Sequence, residues 1–199
     1  MSFWDQRYTE DGFAYGEQPN DFLREQVTRI PPGPVLCLAE GEGRNAVFLA
    51  SRGFQVHAMD LSPVGLAKAQ ALAAERGVTI TTEAGDLATY DLGTGCWSGI
   101  IAIWAHLPPA LRRDVNRRVT LALKPGGVFL LEAYTPRQLE MPGVGGPSGD
   151  GASMLMKLAA LRDELQGLTF EIGQELDRDV HEGRYHQGQS AVVQVLARR

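Results

Sequence analysis

The chain has 199 residues, 44% of them hydrophobic, and a formal net charge of -5. This length and composition suffice for one domain over residues 1–199 with a full core, and the acidic balance offers no general attraction to nucleic acid or an anionic membrane. There is no apolar run of membrane-spanning length and no signal-peptide pattern at the N-terminus, so we expect a soluble cytoplasmic protein, either a monomer or a homodimer.

Strand and helix patterns alternate along the chain after a polar, aromatic N-terminal arm. Helices are predicted from Asn20 to about Ile30, over the apolar positions that follow Arg44, from Ser62 to Gly77, from Pro108 to about Leu123, and over 153–166. Strands are predicted over about 35–38, 55–59, 79–83, 97–104 and 128–134, with a terminal hairpin of 169–180 and 189–197. This alternation favours a mostly parallel sheet with helices on both faces. Residues 135–152, rich in glycine and proline, predict a flexible loop or lid.

The first strand is followed by a glycine turn, and the second ends in an acid. Gly41 and Gly43 allow a sharp turn and a close approach of backbone to ligand, and Asp60 can accept hydrogen bonds from both hydroxyls of a ribose. This unit predicts a nucleotide-cofactor site at the strand tips. Because residues 41–46 also satisfy the pattern G-x-G-x-x-A, an NAD-dependent oxidoreductase stays open as an alternative.

Five segments in order identify a family. They are the glycine turn, Met59-Asp60-Leu61-Ser62-Pro63, Gly85-Asp86-Leu87, Trp104-Ala105-His106-Leu107-Pro108-Pro109 and Leu123-Lys124-Pro125-Gly126-Gly127. Together they resemble class I S-adenosylmethionine-dependent methyltransferases, within them the tellurite-resistance and thiopurine methyltransferase-like branch. The resemblance covers nearly the whole chain. It implies a Rossmann-like, doubly wound α/β fold with a seven-stranded, mostly parallel sheet and a terminal antiparallel strand.

The resemblance also implies the cofactor, S-adenosylmethionine with the product S-adenosylhomocysteine, and the residues that hold it. Residues 1–30 correspond to an arm and helix that cover the cofactor. The expected cofactor-binding residues are Trp4, Tyr8, Ala39, Glu40, Gly41, Gly43, Asn45, Asp60, Leu61, Ser62, Gly85, Asp86, Leu87 and Trp104.

The sequence departs from the family pattern at the end of the first strand. The family has an acid and, two residues later, a glycine, where this chain has Cys37 and Ala39. Cys37 cannot supply the carboxylate that helps to organise the loop and the cofactor's ammonium group. Glu40 could supply a charge from a different direction. The departure leaves open a catalytically inactive, methyltransferase-like binding module.

The resemblance leaves the methyl acceptor to be inferred from chemistry. A thiol or a chalcogen oxyanion would need no strong base, whereas a hydroxyl or amine would need its proton carried away, for which His106 is the candidate. Arg184, in the polar tract at the terminal hairpin, could orient an anionic substrate. No metal site is expected, because His181 and His186 have no third ligand at suitable spacing. We therefore expect a small-molecule acceptor.

Overall fold

The computed structural model describes residues 2–199 and contains one seven-stranded sheet. Its strands in chain order are β1 (Pro34–Leu38), β2 (Gln55–Asp60), β3 (Thr81–Ala84), β4 (Trp97–Ile103), β5 (Leu123–Tyr134), β6 (Thr169–Glu182) and β7 (His186–Arg198). The order across the sheet is β3-β2-β1-β4-β5-β7-β6. Strands β1 to β5 pair in parallel, whereas β7 is antiparallel to both β5 and β6. This confirms the predicted sheet and its antiparallel edge.

Six α-helices within residues 2–199 connect the strands or precede them. They are α1 (Phe3–Tyr8), α2 (Asp21–Gln26), α3 (Arg44–Ser51), α4 (Pro63–Glu75), α5 (Pro109–Ala122) and α6 (Leu158–Glu164). The predicted caps are present: the side chains of Asn20 and Ser62 accept hydrogen bonds from the first turns of α2 and α4. Such caps satisfy backbone N–H groups that lack partners within the helix.

The core lies on both faces of the central strands. On one face, Val35 and Ile101 pack with apolar residues of α2, α3 and α4. On the other face, Leu36 and Ile100 pack with residues of α5 and α6. Because successive side chains of a strand point to opposite faces, strands covered on both sides are apolar throughout. Burial on both faces thus explains the continuous apolar run at 35–38.

The region after β5 differs most from the predicted elements. The helix predicted over 153–166 is split into a 3₁₀ segment, Gly149–Met154, and the short helix α6. The break between them is extended at Leu155, and the N–H of Met156 donates to the carbonyl of Tyr134. The loop is partly ordered by a 3₁₀ turn over Pro136–Glu140 and by a bridge between Val144 and Gln187. Tertiary hydrogen bonds have therefore overridden the local helical pattern.

The strand order places an opening beside the middle of the sheet. Strand β1 lies between β2 and β4, so the connections that leave β1 and β4 at their carboxyl ends run to opposite faces. In open α/β sheets, ligands bind in the crevice that such a reversal creates. The carboxyl ends of β1 to β4 are therefore where a functional site is expected.

Candidate functional site

A cavity of about 650 Å³ lies over the carboxyl ends of β1 to β4. This volume is typical of sites for small molecules. Its walls come from α1, the four strand ends, the segment 144–147 and the start of β7. Twelve of the residues predicted for the site line it: Trp4, Tyr8, Ala39, Glu40, Asn45, Asp60, Leu61, Gly85, Asp86, Leu87, Trp104 and His106.

The turn after β1 has a left-handed backbone at three positions. Ala39 has φ 50°, Gly41 φ 62° and Gly43 φ 89°. Glu40 Oε1 accepts hydrogen bonds from the backbone N–H groups of Asn45 at 3.0 Å and Ala46 at 2.7 Å. A carboxylate at this place satisfies donors that the first turn of α3 leaves unpaired. Burial nevertheless raises the pKa of Glu40 to about 7.

Cys37 and Glu40 face one another at the end of β1. The Cys37 thiol is fully buried, and burial, followed by the nearby Glu40 carboxylate, raises its pKa well above the ordinary value. A buried thiol of this kind is an uncharged apolar group at neutral pH. The negative charge next to β1 therefore belongs to Glu40, three residues later in the chain than in the family pattern.

Asp60, at the tip of β2, ties two turns together. Its Oδ2 accepts from the N–H of Gly41 at 2.9 Å and its Oδ1 from the N–H of Ser62 at 2.8 Å. Burial raises the pKa of Asp60, while these backbone donors lower it. A carboxylate has about four acceptor positions, so these two bonds leave positions for further donors.

The turn after β3 presents a third predicted acid to the cavity. Asp86 is exposed, and its Oδ1 accepts from the N–H of Ala88 at 2.8 Å. Beside it, the Leu87 side chain is buried in the apolar core that includes residues of β2 and β4. The result is an acid with an unused oxygen next to an apolar surface.

Trp104 forms the wall after β4 in an unusual backbone conformation. Its φ is 58°, and its indole ring stacks on Tyr134 with centroids 4.3 Å apart. The backbone N–H donates to the carbonyl of Glu132 at 2.9 Å, and indole Nε1 donates to a carboxylate oxygen of Glu182 at 2.6 Å. Packing and hydrogen bonds hold a conformation that costs a non-glycine residue free energy.

The geometry of His106 argues against the expected proton-accepting role. Nε2 lies 3.0 Å from the N–H of Tyr134, which donates to it, and Nδ1 lies 3.1 Å from the carbonyl of Trp104. The ring is therefore the tautomer that carries its proton on Nδ1. Burial lowers the pKa of His106 to about 4. With both nitrogens bonded to backbone, the ring fixes the turn after β4 and has no lone pair free for a substrate proton.

Helix α1 covers the cavity from the side opposite the sheet. Trp4 stacks on Tyr8 with centroids 5.9 Å apart, and the Tyr8 ring packs over Gly41. The Ser62 hydroxyl donates to Asp5 at 2.6 Å and so ties α1 to the start of α4. The N-terminal arm is thus attached to the same turns that carry Asp60.

Three of the predicted cofactor residues support the wall from behind. Gly41 places its N–H on Asp60, and Ser62 is fully buried as the cap of α4. Gly43 packs on Ala69, where a Cβ atom would come within 2.5 Å of the alanine Cβ. These residues shape the turn without lining the cavity.

Arg184 lies outside the cavity, contrary to the expected role in orienting substrate. Its guanidinium pairs with Glu10 at 3.0 Å and its side chain is 49% exposed. Its backbone N–H donates to the carbonyl of Ala14. The residue fastens the terminal hairpin to the N-terminal arm.

A buried ionic cluster behind Trp104 has no counterpart in the sequence predictions. Glu182 pairs with Arg44 at 2.5 Å and with Arg178 at 2.7 Å, and Arg178 also pairs with Glu132 at 2.7 Å. The amide of Asn20 donates to Glu182 at 2.9 Å. Mainly Arg44, together with hydrogen bonds, lowers the pKa of Glu182 to about 2 against its burial. The cluster joins α3, β5, β6 and the N-terminal arm, which no local sequence pattern could indicate.

Within residues 2–199, no group of three metal-ligating side chains comes together. Over the same residues, the helices are all too short or too polar to cross a bilayer.

Comparisons with known proteins agree with this geometry. A family profile described as "Methyltransferase domain" matches residues 35–127. A 2-heptyl-1-hydroxyquinolin-4(1H)-one methyltransferase of Mycobacteroides abscessus is 28% identical over 118 residues, which are 58% of this chain and 52% of that protein. The match thus spans about half the length of that relative.

Two solved structures share the fold over almost the whole chain. TehB from Haemophilus influenzae has a TM-score of 0.74 at 17% identity, with 99% of this chain and 66% of that chain covered. A protein from echinomycin biosynthesis, studied for the conversion of a disulfide bond into a thioacetal group, has a TM-score of 0.74 at 20% identity, with 98% and 87% covered. At these identities the likeness concerns the fold.

The sheet order, the cavity at its strand ends and the matched domain define a class I methyltransferase fold. The methyltransferase-domain match over residues 35–127 and the shared fold agree with the resemblance to S-adenosylmethionine-dependent methyltransferases that the sequence motifs indicated.

Proposed function

We propose that this protein transfers a methyl group from S-adenosylmethionine to a small-molecule acceptor. The observation that carries the proposal is the arrangement of three acids, Glu40, Asp60 and Asp86, after three adjacent strands around one cavity. Their order across the sheet matches a ligand with an ammonium group at one end, a ribose in the middle and an adenine at the other.

The donor and acceptor set fits that cofactor. Asp60 keeps acceptor positions for ribose hydroxyls beyond the two backbone bonds it already accepts. Asp86 has an oxygen available for the adenine amino group, with Leu87 beside the ring. Glu40 lies in the wall after β1, where the cofactor's ammonium group would bind a carboxylate.

Methyl transfer requires the protein mainly to position the two reactants and to exclude water. When bound, the cofactor supplies a methyl group already activated by a positive sulfur. Transfer would exchange the carbon–sulfur bond of the donor for a bond from the methyl carbon to the acceptor and would leave a neutral thioether; a protonated acceptor would also have to release its proton to solvent, whereas an anionic acceptor has none to release. Helix α1 and the segment 144–147 cover the cavity, and such covering raises the effective concentration of the two reactants.

The proposed acceptors are those that need no strong base. Thiols and chalcogen oxyanions belong to this group, and His106 has no free nitrogen to serve a more demanding acceptor. The relative in Mycobacteroides abscessus is named for a heterocyclic substrate with a hydroxyl on nitrogen, which supports the inclusion of organic acceptors whose hydroxyl is acidic.

Calorimetric titration with S-adenosylhomocysteine tests the cofactor assignment. We expect binding in the micromolar range, and we expect Asp60→Asn to weaken it by about tenfold to about 150-fold, because charge-assisted hydrogen bonds contribute about 1.5 to about 3 kcal/mol. Asp91→Asn, at an exposed acid outside the cavity, is the matched control.

The same titration separates the two alternatives. Tight binding of NAD without binding of S-adenosylhomocysteine would favour an oxidoreductase. A folded protein that binds neither would favour the inactive module. Binding followed by transfer of labelled methyl to a thiol supports the enzyme.

A further inference from the structure

The cavity wall at the start of β7 contains a mostly buried histidine, His186, whose ring makes no hydrogen bond within residues 2–199. His186 is 7% exposed and lines the cavity at the start of β7. Because β7 runs antiparallel to β5, its first residues lie beside the carboxyl end of β5. Nδ1 is enclosed by the protein, so Nε2 is the ring nitrogen left for a hydrogen bond to a ligand in the cavity.

Aromatic rings surround this imidazole. The centroid distances from His186 are 4.7 Å to Tyr15, 4.9 Å to Trp104 and 5.3 Å to Tyr134. Apolar side chains continue the wall, among them Ile103, Leu107, Leu111, Val144, Pro147 and Met154. Flat rings and aliphatic groups with one polar handle are complementary to a planar, apolar molecule that carries one hydrogen-bonding group.

The charges around the cavity disfavour an anionic acceptor. Its lining contains two cationic side chains, Arg7 and Arg44, against four acids, which are Glu40, Glu42, Asp60 and Asp86. Both cations are occupied. Arg44 pairs with Glu182 at 2.5 Å, and the Arg7 guanidinium lies 3.7 Å from the ring centroid of Tyr185 and donates to Tyr15 at 3.3 Å. The protein lining therefore offers an oxyanion no unpaired cation in exchange for its lost hydration.

His186 faces these groups as a neutral ring. Burial, and then the positive charge of Arg44, lower its pKa to about 3, while Glu182 raises it and His106 and Arg178 lower it further. A neutral imidazole offers one N–H donor and one acceptor nitrogen. It can therefore exchange a hydrogen bond with an uncharged hydroxyl or thiol.

We infer that His186 and the rings of Tyr15 and Trp104, with the fully buried Tyr134 behind Trp104, form the acceptor subsite, and that the acceptor is an uncharged planar, apolar molecule bearing a hydroxyl or thiol group. This inference rests on the proposed function and narrows it: the site favours aromatic thiols and acidic hydroxyls such as phenols, whose protons leave readily, over chalcogen oxyanions. His186 binds the acceptor's polar group, and the rings bind its body.

The test compares ligands that differ by one hydroxyl. The protein, saturated with S-adenosylhomocysteine, is titrated calorimetrically with 4-chlorophenol, with 4-chlorotoluene and with sodium selenite. We expect 4-chlorophenol to bind about tenfold more tightly than 4-chlorotoluene, because a site built to hydrogen-bond a hydroxyl rejects the analogue without it. We expect selenite to bind more weakly than 4-chlorophenol.

Two substitutions assign the preference to His186. His186→Phe keeps an aromatic ring but removes both nitrogens, so the ratio of the two affinities falls to about one while 4-chlorotoluene binds as before. His186→Asn, which keeps a hydrogen-bonding side chain, retains part of the preference. His181→Gln, at an exposed histidine of the same hairpin, leaves it unchanged.

The outcomes separate this inference from the proposed function. Each variant is first titrated with S-adenosylhomocysteine, and a folded wild-type protein that does not bind it contradicts the proposed function. Normal cofactor binding with equal affinities for the phenol and the toluene in the wild type overturns the acceptor subsite alone. Tighter binding of selenite than of 4-chlorophenol overturns it as well.

Discussion

The substitution Glu40→Gln tests whether Glu40 has replaced the acid missing from the end of β1. Glutamine has the same shape, and its carbonyl oxygen can still accept from the N–H groups of Asn45 and Ala46. The substitution therefore removes the charge with little change to the start of α3. The charge is what an ammonium group needs.

The expected loss of affinity corresponds to one charge-assisted hydrogen bond. Such a bond contributes about 1.5 to about 3 kcal/mol. We therefore expect Glu40→Gln to weaken the binding of S-adenosylhomocysteine by about tenfold to about 150-fold. The control ligand is 5′-methylthioadenosine, which shares the nucleoside and the sulfur but has no amino-acid group. Its affinity should change by less than about threefold.

The pH dependence of ligand affinity provides a second, independent test of the role of Glu40. Because burial raises the pKa of Glu40 to about 7 from its ordinary 4.5, the folded protein without ligand holds this proton more tightly than the unfolded chain does. The stability cost of the buried charge thus appears as the pH rises from 4.5 to about 7. An ammonium ligand favours the carboxylate, so wild-type affinity for S-adenosylhomocysteine should rise between about pH 5.5 and about pH 8.

Calorimetry of both ligands with both proteins over that pH range completes the assay. In Glu40→Gln the rise should be absent, and it should be absent for 5′-methylthioadenosine in either protein. An equal loss of affinity for the two ligands would mean that the substitution damages the turn in general. Unchanged affinity for S-adenosylhomocysteine would remove Glu40 from the site.

Ala39→Gly should raise the melting temperature by roughly 2 to 4 °C, because a left-handed backbone costs alanine about 1 kcal/mol. The control Ala71→Gly, at an exposed position inside α4, should lower the melting temperature by a similar amount. An unchanged melting temperature in Ala39→Gly would contradict the backbone strain at residue 39. Glu182→Gln should destabilise the fold by about 3 kcal/mol near neutral pH, since it leaves buried arginines without their partner. Because the folded pKa of Glu182 is about 2, below the ordinary 4.5, its contribution is present above 4.5 and lost as the pH falls toward 2; melting curves of both proteins should therefore converge over that range, and a constant difference would refute the ionic role. Hydrogen exchange in residues 3–20 and 135–150 should slow when S-adenosylhomocysteine binds, with α5 as the unchanged reference, and equal exchange in both states would refute the lid role.

The part of the site near β1, β2 and β3 could be predicted because it consists of short segments that directly follow strands. In a parallel sheet the carboxyl ends of adjacent strands share one edge, so Glu40, Asp60 and Asp86 face one cavity once the strands are recognised. The alternation of apolar runs and helical faces fixed those strands in the sequence.

The part near β4 and the terminal hairpin could not be predicted in the same way. Arg44 and Glu182 are 138 positions apart and meet only because β6 and β7 fold back antiparallel beside β5. The same packing exposes Arg184 and His181 but buries His186, although all three lie within six residues. Residue type alone could not distinguish them.

His106 illustrates the physical reason most directly. The sequence determined that a histidine follows β4 at the edge where ligands bind. The tertiary structure decided its role, because the backbone groups of Trp104 and Tyr134 come within hydrogen-bond distance of both ring nitrogens. Local sterics and hydrophobic periodicity specify where strands and turns lie, whereas the burial and the partners of a polar side chain depend on residues distant in the chain.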